Sequence, residues 1–303
     1  MTDLSDRATM TRRGLFHGAS GLAALGALGA GLGAVPLMAQ DAQPAGLQGN
    51  INHSVARWTF GDLPLADLCQ LARQTGLGAI DLCGPDDWPV LAEHGLASSM
   101  CNGAEISLED GWADPANHDE LTERYLRHIP LVAEAGHVNL ICFSGNRRGM
   151  SDEDGLRHCA EGLSRILPAA RDAGVVLQME LLNSRVNHPD YMCDRSAWGV
   201  ALCERLQSPQ FKLLYDIYHM QIMEGDVIRT IMRDHRWFGH YHTAGNPGRN
   251  DPDDSQELNY PAICRAIRDT GYQGWVAQEF IPRDPAPQAA AASLRDAVLT
   301  CDV

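Results

Sequence analysis

The chain has 303 residues, enough to bury a large core in one or two domains. Hydrophobic residues make up 45%, an ordinary globular share rather than that of a disordered chain. A formal net charge of −15 argues against broad nucleic-acid binding, which needs a basic face, but leaves room for a small anion held by a local arginine.

Residues 1–10 are polar. Thr11-Arg-Arg-Gly-Leu-Phe16 then opens an apolar run rich in Ala, Gly and Leu that ends near Pro36-Leu-Met-Ala39. Charge, apolar core and small residues, in that order, are the anatomy of an export signal. Adjacent Arg12 and Arg13 make it similar to a twin-arginine signal. The expectation is an export signal over 1–39 read by the twin-arginine machinery, a linker over 40–49, and a periplasmic or exported protein. The apolar run is also about long enough for an uncleaved membrane anchor, although its glycines are poor helix formers.

From residue 50 short apolar runs alternate with longer helical stretches. Strands are expected at 50–53, 79–82, 96–101, 138–143, 175–180, 211–216, 238–242 and 274–279. Helices are expected at 65–75, 88–94, 117–135, 151–173, 195–206, 226–233 and 260–270, several of them stopped by glycine. Such alternation implies parallel strands joined by crossovers. Eight units in this length imply an α/β fold of one domain over 50–303, a closed (β/α)₈ TIM barrel, which typically takes about 250 residues. The alternative, a doubly wound open sheet, lacks a Gly-x-Gly-x-x-Gly after any strand. Nine scattered cysteines without a Cys-x-x-Cys read as buried small hydrophobes, not as a disulfide framework or a sulfur metal site.

Four of the apolar runs end in a group that can bind metal. Val175-Val-Leu-Gln-Met-Glu180 and Phe211-Lys-Leu-Leu-Tyr-Asp216 end in acids, Phe238-Gly-His-Tyr-His242 in an imidazole, and Trp275-Val-Ala-Gln-Glu279 in an acid. In a barrel the C-terminal strand ends converge on one mouth. Three carboxylates crowded there repel one another unless a cation joins them. Oxygen-rich coordination with one imidazole favours a single divalent Mn²⁺, Mg²⁺ or Co²⁺ on Glu180, Asp216, His242 and Glu279.

A second layer follows from position. His219 lies just past Asp216, and Arg249 sits in a Gly/Pro loop after the seventh strand, where a guanidinium suits a carboxylate or enediolate oxygen. Asn183, Asn187, Asn246, His53 and Asn102 are weaker candidates for hydrogen bonds to substrate. Trp88 either walls the pocket or packs in the core. His240 is expected to face away from His242.

On these residues the chain from about 50 to 300 resembles the hydroxypyruvate isomerase family, within the xylose isomerase-like TIM barrels. The resemblance is carried by Leu82-Cys-Gly-Pro-Asp-Asp-Trp-Pro89, Glu180-Leu-Leu-Asn183, Leu214-Tyr-Asp-Ile-Tyr-His-Met-Gln221, Gly245-Asn-Pro-Gly-Arg249 with Glu257-Leu-Asn-Tyr260, and Gln278-Glu-Phe280. It implies that Glu180 and Glu279 both hold the metal and transfer protons, that Asp216 is a ligand, and that His219 and Arg249 bind the substrate's oxygens. The family often carries Gln at the seventh-strand ligand, whereas the related ketose 3-epimerases carry His, as this chain does at His242.

The expected function is therefore metal-dependent isomerisation of a small hydroxy-acid or sugar, hydroxypyruvate to tartronate semialdehyde, through an enediolate. The alternatives are a ketose 3-epimerase, an endonuclease IV-like phosphodiesterase and a non-catalytic exported sugar-binding protein. The expected partners are the substrate and the export machinery, with a homo-oligomer open and no nucleic acid.

Overall fold

The structure, a computed structural model, describes residues 46–303. The expected export signal and most of the linker lie outside the described residues. Eight strands form a closed, all-parallel barrel in sequence order: β1 (Asn52–Ala56), β2 (Ala79–Cys83), β3 (Ala97–Cys101), β4 (Asn139–Cys142), β5 (Val176–Glu180), β6 (Phe211–Asp216), β7 (Phe238–Thr243) and β8 (Trp275–Gln278). Closure comes from β1 pairing with β8, Asn52 opposite Trp275 through Val55 opposite Gln278. The parallel sheet is covered by helices, so its strands are buried along nearly their whole length and read as continuous apolar runs rather than alternating ones.

The helices follow in order: α1 (Leu65–Thr75), α2 (Trp88–Glu93), α3 (His118–Glu134), α4 (Asp152–Leu163), α5 (Leu167–Ala173), α6 (Ser196–Leu206), α7 (Ile217–Met223), α8 (Val227–Asp234), α9 (Tyr260–Asp269) and α10 (Pro287–Cys301). α1 shows the logic of the outer ring. It buries Leu68, Cys69, Leu71 and Ala72 on one face and ends at Gly76, whose φ of 88° lets its N–H reach the carbonyls of Ala72 and Arg73. Any side chain at that φ would be strained.

Three features depart from the pattern expected of the sequence. The helix over 151–173 is two helices, because Pro168 fits the first turn of α5 but offers no N–H to continue α4. A short helix, α7, follows β6 directly where a loop was expected, and Asp216 caps it by accepting the backbone N–H of His219 at 2.9 Å. α10 closes the ring after β8. All nine cysteines are buried free thiols.

Candidate functional site

Glu180 ends β5, Asp216 ends β6, His242 is the penultimate residue of β7, and Glu279 follows β8 by one residue. The barrel brings all four to one mouth. One ligand-type atom from each lies within 4.8 Å of the others, and all four residues are buried. His242 is the hub. Its Nδ1 lies 2.8 Å from Glu279 Oε2, 3.1 Å from Glu180 Oε1 and 4.0 Å from Asp216 Oδ2.

The second layer closes over this cluster. Arg249, in the left-handed region at φ 59°, donates through Nη2 to Glu279 Oε2 at 2.5 Å and lies 3.5 Å from Asp216 Oδ2. Its guanidinium stacks between Trp58 and Tyr218, 5.0 and 5.5 Å from their ring centres. Trp58 also donates its indole N–H to Glu279 Oε1 at 2.7 Å. His219 is fully buried, with Nδ1 accepting the backbone N–H of Asn183 at 3.2 Å. That bond fixes the ring proton on Nε2, which lies 3.5 Å from Asp216 Oδ2. Asn183 and Asn187 therefore serve to orient His219 and Tyr218, the Asn183 amide also reaching His219 Nδ1 at 2.6 Å and Asn187 Oδ1 accepting the Tyr218 hydroxyl at 3.0 Å.

Electrostatics follow from that crowding. Burial, with Glu279 nearby, pushes the Glu180 carboxyl up. Burial pushes Asp216 up to about 7, against the pull of Arg249. Burial acts on Glu279 in the same direction, but His242 and Arg249 together hold it well below the usual carboxylate range. Glu279, Asp81 on β2 and Glu180 raise His242 well above an ordinary imidazole although burial opposes it. Burial and Arg249 keep His219 neutral. They also bring His188, whose ring centre is 5.3 Å from that of His219, down to about 4.

Sequence reasoning missed several neighbours. Asp81, in the middle of β2, is fully buried, with Oδ2 2.9 Å from His242 Nε2 and Oδ1 3.0 Å from His240 Nε2. An acid inside an apolar strand was itself the signal, since a buried carboxylate needs a partner. His240 does not face away from His242. Residues two apart on a strand share a face, and both imidazoles point into the barrel onto Asp81, 5.2 Å apart. Trp58, Tyr218 and His188 lie in segments whose direction no periodicity reveals. Trp88 packs, with ring contacts to His128 and His137 and its N–H on the Cys83 carbonyl at 3.0 Å. His53 sits at the opposite end of the barrel, against Asp302.

Barrel and acid-rich mouth together define an enzyme scaffold of the kind built on strand-end ligands. The profile of the xylose isomerase-like TIM barrels matches residues 52–297, and the chain belongs to that family. A 2-oxo-tetronate isomerase of Cupriavidus necator is 38% identical over 123 residues, a match spanning 41% of this chain and 46% of that one. The hydroxypyruvate isomerase of Escherichia coli K12 is 26% identical over 235 residues, covering 74% of this chain and 90% of that one. A solved structure described as a family 2 AP endonuclease from Brucella melitensis superposes with a TM-score of 0.70 at 25% identity, covering 77% and 94% of the two chains. The curated relatives are isomerases, and this chain is an isomerase-type enzyme.

Proposed function

We propose that the protein is a divalent-metal-dependent isomerase of a small hydroxy-carbonyl acid, with hydroxypyruvate to tartronate semialdehyde as the reaction. The observation that carries this reading is the convergence of Glu180, Asp216, His242 and Glu279 within 4.8 Å. With Asp81 the mouth holds four carboxylates, opposed among the described residues by the charges of Arg249 and His242. Those donors, three oxygens and one imidazole, fit Mn²⁺, Mg²⁺ or Co²⁺. A bound ion of that kind supplies polarisation of neighbouring carbonyl and hydroxyl oxygens.

The chain's own groups do the rest. One of Glu180 and Glu279 takes the proton from the hydroxyl-bearing carbon, giving an enediolate, and the other returns a proton to the adjacent former carbonyl carbon. The hydroxyl proton passes to the former carbonyl oxygen, so atoms balance with no outside reductant. His219, neutral and carrying its proton on Nε2, donates to a substrate oxygen. Arg249 is held between Trp58 and Tyr218 at the mouth, where it suits the substrate's carboxylate. Trp58, 38% exposed beside Glu279, forms part of the rim that limits water.

His242 favours one second reading, a ketose 3-epimerase, in which the proton returns to the opposite face of the same carbon. A phosphodiesterase is disfavoured by the single imidazole in the ligand set and the net charge of −15. Assay of the full chain with Mn²⁺ against hydroxypyruvate, 2-oxo-tetronate and free ketoses separates these readings. Turnover of the hydroxy acids supports isomerisation, epimerised ketose supports the second reading, and cleavage of abasic DNA contradicts both. Export by the twin-arginine route is part of the same proposal. Replacing Arg12 and Arg13 with Lys should hold the precursor in the cytoplasm, and unchanged export would remove that route.

A further inference from the structure

Behind His242 lies a group of polar side chains, Asp81, Ser99 and His240, that are not themselves in the ligand set. Ser99 donates its hydroxyl to Asp81 Oδ1 at 2.6 Å. Asp81 Oδ2 meets His242 Nε2 at 2.9 Å, and His242 turns its other nitrogen, Nδ1, toward Glu180, Asp216 and Glu279. His240 Nε2 lies 3.0 Å from Asp81 Oδ1 but off the line of a good hydrogen bond. Asp81, His240 and His242 are each 0% exposed. Such a group of polar side chains is costly to bury unless it serves something.

The strands are built around it. The pairing of β2 with β3 slips on both sides of Asp81, so Ile80 faces Ser98 but Asp81 faces Met100. β7 slips against β6 at Gly239, which brings His240 opposite Leu214 and His242 opposite Asp216. A Cβ at Gly239 would meet Gln178 Oε1 at 2.6 Å and Lys212 Cβ at 2.9 Å, so glycine is required at that slip. Irregular pairing of this kind re-aims side chains beside functional sites.

We infer that Asp81 is a positioning residue for metal binding: by accepting the Nε2 proton of His242 it leaves Nδ1 as the ligand and fixes the ring's plane toward the three carboxylates. The inference rests on the reading of the mouth as a divalent-metal site. A carboxylate only accepts, so Asp81 permits one tautomer. An asparagine in its place can donate to Nε2, which moves the ring proton to Nδ1 and blocks the metal-facing nitrogen. Ser99 holds Asp81 in place by its hydrogen bond, and His240 and His242 beside it keep its carboxyl ionised against burial. Partners of this kind are worth about 10- to 100-fold in metal affinity.

The test is calorimetric titration of the full chain with Mn²⁺, parent against Asp81→Asn, together with ¹⁵N-histidine spectra in Mg²⁺, which is diamagnetic. The expected result is Mn²⁺ binding by the parent and binding about 10- to 100-fold weaker in the variant, with the metal-free melting temperature and circular dichroism of the two alike. The spectra should show His242 of the Mg²⁺-saturated parent with hydrogen on Nε2 and none on Nδ1, a signature that a merely structural role does not move. Equal Mn²⁺ affinity in parent and variant overturns the inference. If Asp81→Asn does not fold, the parent spectra decide alone, and hydrogen on Nδ1 with a bare Nε2 overturns it. A parent that binds no Mn²⁺ removes the metal reading itself, and this inference with it.

Discussion

Two buried histidine–carboxylate pairs occupy opposite ends of the barrel and behave differently. At the N-terminal end of β1, His53 Nε2 lies 3.5 Å from Asp302 Oδ1, and the other Asp302 oxygen accepts the Gln48 backbone N–H at 2.6 Å. One acid there faces one ring and one amide, and burial keeps His53 below its ordinary pKa despite Asp302. At the mouth His242 meets Asp81, Glu180 and Glu279 within 3.1 Å and is raised well above an ordinary imidazole, burial notwithstanding. The lower pair is loose: Asp302 accepts the Gln48 backbone N–H, while neither His53 ring nitrogen has a hydrogen-bond partner among the described residues. The upper one carries more negative charge than the protein's own cations balance. What distinguishes a functional cluster here is that surplus, not burial or ion pairing as such.

The comparison breaks most visibly in catalysis. Glu180→Gln and Glu279→Gln should each lower kcat by roughly 10²–10⁴-fold, while metal-free Glu180→Gln melts no lower than the parent because burial and Glu279 already disfavour its charge, and Glu279→Gln melts lower because Arg249 and His242 lose their acid. A fall in melting temperature without loss of turnover would place these acids with the structural pair at the other end. Next in size, Arg249→Ala should raise KM for a carboxylate-bearing substrate by about 10- to 100-fold, the worth of a charged hydrogen bond, and leave KM for a neutral ketose much nearer the parent value. Equal effects on both would assign Arg249 to holding Glu279 and Asp216 instead.

Stability effects come lower on the scale. Adding Mn²⁺ at roughly a hundredfold its dissociation constant should stabilise the fold by about 2.7 kcal/mol, read as a shift in the denaturant midpoint that chelation reverses. Asp302→Ala should cost about 1–3 kcal/mol by stripping the Gln48 backbone N–H of its acceptor, with kcat unchanged. If it also lowers kcat, the two ends are coupled. The smallest effect is in pH. Asp216 is raised to about 7 in the metal-free mouth and Glu180 is raised with it, so both bind protons that metal must displace. Mn²⁺ affinity should therefore increase as pH rises between about 6 and 8, with proton release measurable in buffers of different ionisation enthalpy. Flat affinity over that range would mean these carboxyls are already ionised.

The barrel was legible because eight apolar runs alternate with helical stretches and because parallel strands covered on both faces need little else. The convergence of Glu180, Asp216, His242 and Glu279 was legible for a similar reason, since a strand's end is visible locally and the fold then supplies the meeting point. Contacts that join distant strands were not. Asp81 reaches His242 across 161 positions, and only its place inside an apolar run hinted at a partner. His240 was misplaced because alternation was read without its period of two. The division of α4 from α5 turned on Pro168 alone. Trp58, in a short helical turn after β1, and Tyr218, in α7, clasp Arg249 from two distant segments, an arrangement that no spacing encodes.

The most direct test of the account is proton exchange at the substrate. Full-length parent, Glu180→Gln and Glu279→Gln are each incubated with Mn²⁺ and hydroxypyruvate in D₂O and followed by NMR. The account predicts deuterium at the exchanging carbon and product in the parent. It also predicts an unequal pair of variants: one still exchanges deuterium without making product, and the other does neither. Product formation and exchange at parental rates in both variants would contradict the assignment of proton transfer to this pair of glutamates.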